Sequence, residues 1–202
     1  NYIEHVGKFQ SDGAAIQRIG RGAANFVFRY NWILHGGRMG IRCDFNTNPI
    51  ILAHLYRNLL WDCNHNMGFN CEYANIFNNT SFESHAASDM SYPRSQAKHF
   101  PNQNQFTISR NNLGDRIEVT HPTKPEDCFW NGVEENLLTR PMLRDVTNKD
   151  FRPRPGAPII DAGTVVSKTR WANHGIVERD IYRTVDYTWM DLSHPGAGAY
   201  SN

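Results

Sequence analysis

The stretch Asn31-Trp32-Ile33-Leu34-His35 echoes Asn1-Tyr2-Ile3-Glu4-His5, and Asn58-Leu59-Leu60-Trp61-Asp62 echoes both; Asn79-Thr80-Ser81-Phe82-Glu83 is a fourth copy. Three residues before each internal asparagine stands an apolar side chain, Phe28, Leu55 and Ile76, and the same offset recurs as Ile108 before Asn111, a fifth copy. A second phrase repeats behind the asparagines, Met39-Gly40-Ile41-Arg42-Cys43 and Met67-Gly68-Phe69-Asn70-Cys71, with Ala14-Ala15-Ile16-Gln17-Arg18 as a looser match. Self-similarity at a spacing of 21 to 32 residues is too irregular for a leucine-rich or helical repeat, but it suits a solenoid that keeps its strands and varies its loops. Long amphipathic helices are not signalled, because Asn, Gly, β-branched and aromatic residues stand where Ala, Leu, Glu and Lys would be needed. The expectation is an all-β solenoid with at least two short strands in each coil.

Asparagine at every coil has a physical rationale. Adjacent coils lie about 4.8 Å apart, so a repeated side chain stacks on itself, and a buried amide donates to one neighbour while accepting from the other. Asparagine also tolerates the left-handed backbone of a sharp corner. The competing reading of Asn78 and Asn79 is glycosylation, because Asn78-Asn79-Thr80-Ser81 holds two overlapping acceptor sequences.

Over 202 residues, 21 Lys and Arg face 20 Asp and Glu, a formal charge of +1. That leaves no broad basic surface for holding nucleic acid by counterion release. No apolar run approaches the roughly 18 to 20 residues of a membrane span. Cys43, Cys63, Cys71 and Cys128 permit two disulfides, fit no zinc-finger spacing and are compatible with an oxidising compartment. The chain opens inside a repeat without an initiator Met. A processed or truncated N-terminus is therefore expected, with further coils or another chain covering the first coil. Ser84 to Gln105, rich in Ser, His, Asn and Pro, reads as a loop inserted between coils. On this reading residues 1–136 are coils with an insertion at about 84–105, and 137–202 are the last coil and an irregular cap.

Three phrases carry a resemblance. Asp150-Phe151-Arg152-Pro153-Arg154-Pro155-Gly156-Ala157-Pro158-Ile159-Ile160-Asp161-Ala162-Gly163 resembles the segment that ends the last coil of pectate-lyase-like right-handed parallel β-helix proteins. The final Gly196-Ala197-Gly198-Ala199-Tyr200 is similar to their terminal Gly-Ala-Tyr, and Ile76-Phe77-Asn78-Asn79-Thr80 to one of their coil phrases. Gly40-Ile41-Arg42 with Leu55-Tyr56-Arg57-Asn58 is weakly similar to alginate-lyase-type β-helices. The resemblance implies a secreted right-handed parallel β-helix that binds or cleaves an acidic polysaccharide or other glycan.

Stacking turns sequence offsets into neighbours. The residue four after each asparagine forms a column of His5, His35, Asp62 and Glu83; three further on lie Lys8, Arg38 and His65, and the next strand offers Gln17, Arg42 and Asn70. A lyase acting on a uronic acid needs a base for the proton α to the carboxylate and a cation to neutralise that carboxylate. His35, Arg38 and Arg42 are the candidate catalytic residues, with His5, Lys8, Asp62, His65, Glu83 and Trp130 as candidate substrate contacts. A glycoside hydrolase needs two carboxylates about 5 to 9 Å apart, and Asp62 with Glu83 is the column pair of that reach. Asp44 and Glu72 follow the two repeated cysteines and form a carboxylate pair of the kind that holds Ca2+. Cys43 and Cys71, at equivalent positions, form either a disulfide or a buried stack. Trp32 and Trp61 stand one and three places after their asparagines, so they do not share a column, and at most one is expected to face outward. A polar column is also what the solvated face of a solenoid looks like. Glycan binding without turnover, and a structural or adhesive module of an extracellular assembly or filament, are therefore the alternatives.

Overall fold

The computed structural model describes residues 1–9, 12–19, 25–44, 52–70, 74–85, 90–91, 108–114, 116–118, 137–138, 142–160 and 162. Trp130, Cys71 and Glu72 lie outside them, as does most of the 84–105 segment. Among the described residues every regular element is a strand, and no helix is long and apolar enough to cross a membrane.

The strands come in rounds of three. The first round is β1 (Tyr2–Glu4), β2 (Ala14–Ile19) and β3 (Asn25–Arg29); the second is β4 (Trp32–Leu34), β5 (Met39–Asp44) and β6 (Leu52–Tyr56). The third is β7 (Leu59–Trp61), β8 (His65–Asn70) and β9 (Ala74–Phe77), and the fourth β10 (Thr80–Phe82), β11 (Met90–Ser91) and β12 (Ile108–Arg110). After these come β13 (Leu113–Gly114), β14 (Ile117–Glu118) and β15 (Leu137–Leu138). Each strand pairs in parallel with its counterpart in the next round, giving three sheets ordered β1-β4-β7-β10-β13-β15, β2-β5-β8-β11-β14 and β3-β6-β9-β12. The protein is thus all-β and built on parallel sheets.

Alternation along the strands sends one set of side chains between the sheets. Ile33 and Leu60 from the first sheet, Ile41, Met67 and Phe69 from the second, and Leu55 and Ile76 from the third form one buried core. The other face of the first sheet is also apolar. Leu34, Leu59, Phe82 and Leu113 pack under Leu143, Phe151, Ala157 and Ile159, with Trp32 and Trp61 partly buried between them. The covering residues belong to an antiparallel hairpin of β16 (Leu143–Asp145) and β17 (Asp150–Pro153) and its continuation. The Asp150 phrase therefore does not end a coil; it lies against the outer face of the first sheet. Both tryptophans face that side, because positions one and three after the asparagine have the same parity.

The repeated asparagine is a buried ladder. Asn1 Nδ2 donates to Asn31 Oδ1, Asn31 to Asn58, Asn58 to Asn79 and Asn79 to Asn112, all at 2.8–2.9 Å. Asn58 and Asn79 use their amides fully. Each Nδ2 also donates to a carbonyl of the preceding round, Phe28 O and Leu55 O, and each Oδ1 also accepts the backbone N–H of the previous asparagine. The fifth rung is Asn112 and not Asn111, because Ser109, not Ile108, is in register with Ile76. At this corner the left-handed residues are Tyr30, Arg57, Asn78 and Asn111, each one place ahead of a ladder asparagine. Asn78 and Asn79 are 2% and 0% exposed, so neither is available as a glycan acceptor in the folded chain.

A second correction concerns the Met-Gly-x-x-Cys phrase. Ala14 and Ile16 do match Met39 and Ile41, but Ile41 pairs with Met67 and Cys43 with Phe69, two residues away from the register expected. A two-residue slip keeps the same face inward, so alternation does not reveal it. Cys43 thus lies opposite Phe69 and Asp44 opposite Asn70, while their expected partners Cys71 and Glu72 lie outside the described residues. Met90 and Ser91, inside the expected insertion, extend the second sheet.

Replacing Asn58 tests the ladder. Asn58→Ala leaves the donors of Asn31 and the acceptor Phe28 O buried without the Asn58 side chain, and Asn79 Oδ1 with the residue-58 N–H alone, at a cost of about 3 kcal/mol or more in chemical denaturation. Asn58→Asp, nearly the same shape, should cost at least as much, because its oxygens face acceptors where Nδ2 donated.

Among the described residues the third sheet buries a polar pair whose hydrogen bonding is incomplete. His54 and Asn75 are 1% and 2% exposed and lie in register with Val27 before and Ile108 after. Asn75 Nδ2 donates to His54 Nδ1 at 3.2 Å, while His54 Nε2 and Asn75 Oδ1 have no partner. Burial lowers the His54 pKa from 6.5 to about 4. The unfolded chain therefore takes up this proton at a higher pH than the folded one. The contribution to stability is full above about pH 6.5 and is lost as pH falls through about 4, a change of about 3 kcal/mol. The variant H54V/N75V should be at least as stable as the parent at neutral pH and should lose less of its urea midpoint on acidification.

Candidate functional site

β4, β7 and β10 of the first sheet each run between two left-handed corners. The far corner is held by His5, His35, Asp62 and Glu83, with φ between 53° and 59°. An αL residue costs about 1 kcal/mol or more, and His and Asp are among the side chains that tolerate it best. The column expected from the sequence thus forms, and it faces solvent as a line of polar groups.

Contacts along this line are short. The rings of His5 and His35 stack with centroids 5.0 Å apart and planes 13° from parallel. Asp62 Oδ2 lies 2.5 Å from His35 Nδ1, and its other oxygen lies 2.8 Å from His85 Nε2. An ionised carboxylate only accepts, so Nδ1 of His35 carries the proton of that bond, and Nε2 is the nitrogen left for a substrate. Trp61 meets the His35 ring edge-to-face at 4.6 Å and donates from Nε1 to Glu83 Oε2 at 2.8 Å. His35 is therefore held by a carboxylate, an indole and a stacked imidazole.

Glu4 stands 3.7 Å from His35 Nε2. Its charge is met by Lys149, whose Nζ lies 3.0 Å from Oε1, and by the Tyr2 hydroxyl at 2.8 Å from Oε2. The Lys149 hydrogen bond, then that of Tyr2, holds the Glu4 carboxyl below its ordinary range. Lys149 comes from the tip of the covering hairpin, so a residue 145 positions further along the chain fixes a charge beside the column.

A groove of about 420 Å³ runs past His5, Lys8, His35, Asp62, Asn64 and His85. A second of about 430 Å³, lined by Gly7, Phe9 and Ala15 among others, shares His5 and Lys8 with it. Neither Arg38 nor Arg42 is among the described residues lining these grooves. Arg42 is engaged by Asp12, and it stands in register with Gln17 and Gly68. His65 is in register with Met39 and so does not continue a column of Lys8 and Arg38. Asn70, two residues beyond Gly68, lies opposite Asp44. Asp62 and Glu83, the pair considered for hydrolysis, are committed to His35, His85 and Trp61. No group of three or more His, Cys, Asp or Glu among the described residues is placed to share a metal ion.

His85, Glu4, Asn64 and Lys149 complete the site without having been singled out in the sequence. Glu4 was discoverable as the neighbour of a column residue; His85 and Lys149 carry no periodic signal. Compared with known families, characterised proteins and solved structures, the chain has no match.

Gly37 sets how closely the first round approaches the second. A Cβ there would lie 2.4 Å from Lys8 Cα and 2.7 Å from Gly7 O, both backbone atoms. Gly37→Ala should push the Lys8 turn away from His35 and destabilise the fold by about 1–3 kcal/mol, read as a lowered thermal midpoint.

Proposed function

We propose that the three sheets are the faces of a right-handed parallel β-helix of the pectate-lyase-like kind, and that its polar column binds an acidic polysaccharide outside the cell and cleaves it by β-elimination. The helical reading is supported by the order of pairing, in which every third strand from β1 to β14 returns to the same sheet. Right-handed connection is the rule for parallel strands joined by a crossover.

The chemical reading rests on one observation: His35 is oriented by Asp62 at 2.5 Å in a groove that also holds Lys8. His35 Nε2 takes the proton α to the uronate carboxylate. The Lys8 ammonium balances that carboxylate and the negative charge that develops on it. Lys8 thus fills the part that the sequence assigned to Arg38 and Arg42.

Incubation with pectate, alginate and glycosaminoglycans should release unsaturated uronates, detected by their ultraviolet absorbance. His35→Gln should lower kcat by about 100-fold or more and leave binding intact. Absence of product from all three polymers counts against cleavage, and absence of binding counts against the glycan reading.

The non-enzymatic alternative, an adhesive or structural module, is favoured by a different feature. Tyr2, Phe9 and Tyr30 are exposed large side chains that all belong to the first round, where β1, β2 and β3 are the outermost strands of their sheets. Exposed aromatic side chains beside edge strands suit packing against another chain.

A further inference from the structure

We propose that His85 is the general acid of this elimination, working with His35 through the single carboxylate they share. The inference rests on the lyase reading and adds the group that protonates the leaving sugar. The two imidazoles sit on opposite oxygens of Asp62, at 2.5 and 2.8 Å, and line the same groove. One carboxylate balances the charge of one imidazolium and not of two, so one imidazolium beside one neutral imidazole is the charge-balanced arrangement that the elimination uses.

Their surroundings divide the roles. His35 is 24% exposed and is faced by Asp62, Glu4, His5 and Trp61, with Lys149 offsetting Glu4. His85 is 64% exposed and is held by Asp62; Lys8 and Asn64 line its groove, and Arg116 donates to the carbonyl of the adjacent Ser84. A sheltered, oriented imidazole suits the base. An exposed one can reload its proton from water after each turnover.

The step balances as follows. His35 Nε2 takes the proton from the carbon α to the uronate carboxylate, and the electron pair of that bond forms the new carbon–carbon double bond. The bond from the β-carbon to the glycosidic oxygen breaks, and this oxygen takes the proton of His85. Asp62 remains a carboxylate throughout, and solvent returns both histidines to their starting states.

The test compares wild type, H85Q, H85A and H35Q on a uronate polymer and on a uronate bearing a nitrophenolate leaving group, across pH. H85Q should lose about 100-fold in kcat/KM on the polymer but less than about 10-fold on the nitrophenolate, which needs no proton to leave. It should also lose the alkaline limb of the pH profile, while H35Q loses rate on both substrates. Added imidazole should restore H85A. Equal losses on both substrates with an unchanged pH profile, or wild-type rates in H85Q, overturn the acid role while the lyase reading stands. No product from the wild type on any uronate overturns the lyase reading and the acid role with it.

Discussion

A line of buried asparagine amides is the constraint on which this structure depends. A primary amide has two donors and two acceptor positions, and Asn58 and Asn79 use all four on neighbouring rounds. Leaving any of these buried groups unpaired costs more than the bond itself contributes, so each round must bring its asparagine to the same place. Successive rungs are 30, 27, 21 and 33 residues apart. Round length is therefore free to vary while the corner is not, which is why loops differ between rounds without disturbing the sheets.

The ladder also explains where chemistry can sit. Fixing one corner leaves a strand of three residues before the next corner. Its middle residue enters the core, and its first and last turn toward the face covered by the hairpin around Phe151. Those positions are apolar in most rounds, as Trp32, Leu34, Leu59, Trp61 and Phe82 show. Polar groups in this part of the round reach solvent at the second corner, where His5, His35, Asp62 and Glu83 stand. The hairpin contributes twice, burying the aromatic face that supports His35 and extending Lys149 to Glu4.

What the sequence made legible was whatever the amide ladder repeats. The asparagines, the column four residues on and the all-β character follow from one periodic signal. Where two asparagines adjoin, as at Asn111 and Asn112, the signal is ambiguous by one residue, and only pairing decides. Where a phrase slips by two, as with Cys43 and Phe69, inward and outward faces are conserved and the error is silent. His85 and Lys149 were hidden for another reason: His85 takes the position held by Gly37 and Asn64 in earlier rounds, where no side-chain chemistry repeats, and Lys149 comes from the hairpin packed on the outer face of the first sheet. Arg42 shows the converse, a residue with suitable chemistry that a neighbouring carboxylate, Asp12, engages.

The left-handed corner accounts for part of the column's composition. His and Asp are enriched there for backbone reasons, so a polar residue at this position does not by itself indicate a site. What backbone preference does not explain is how differently the four are used. Glu83 serves Trp61, His5 stacks on its neighbour, and Asp62 divides its two oxygens between one histidine from the preceding round and one from the following round. A corner that needed only a tolerated φ would be satisfied by four unconnected polar side chains. Here the rounds are linked to one another by their corner residues, at hydrogen-bond distance and beside a groove, with two histidines meeting on Asp62.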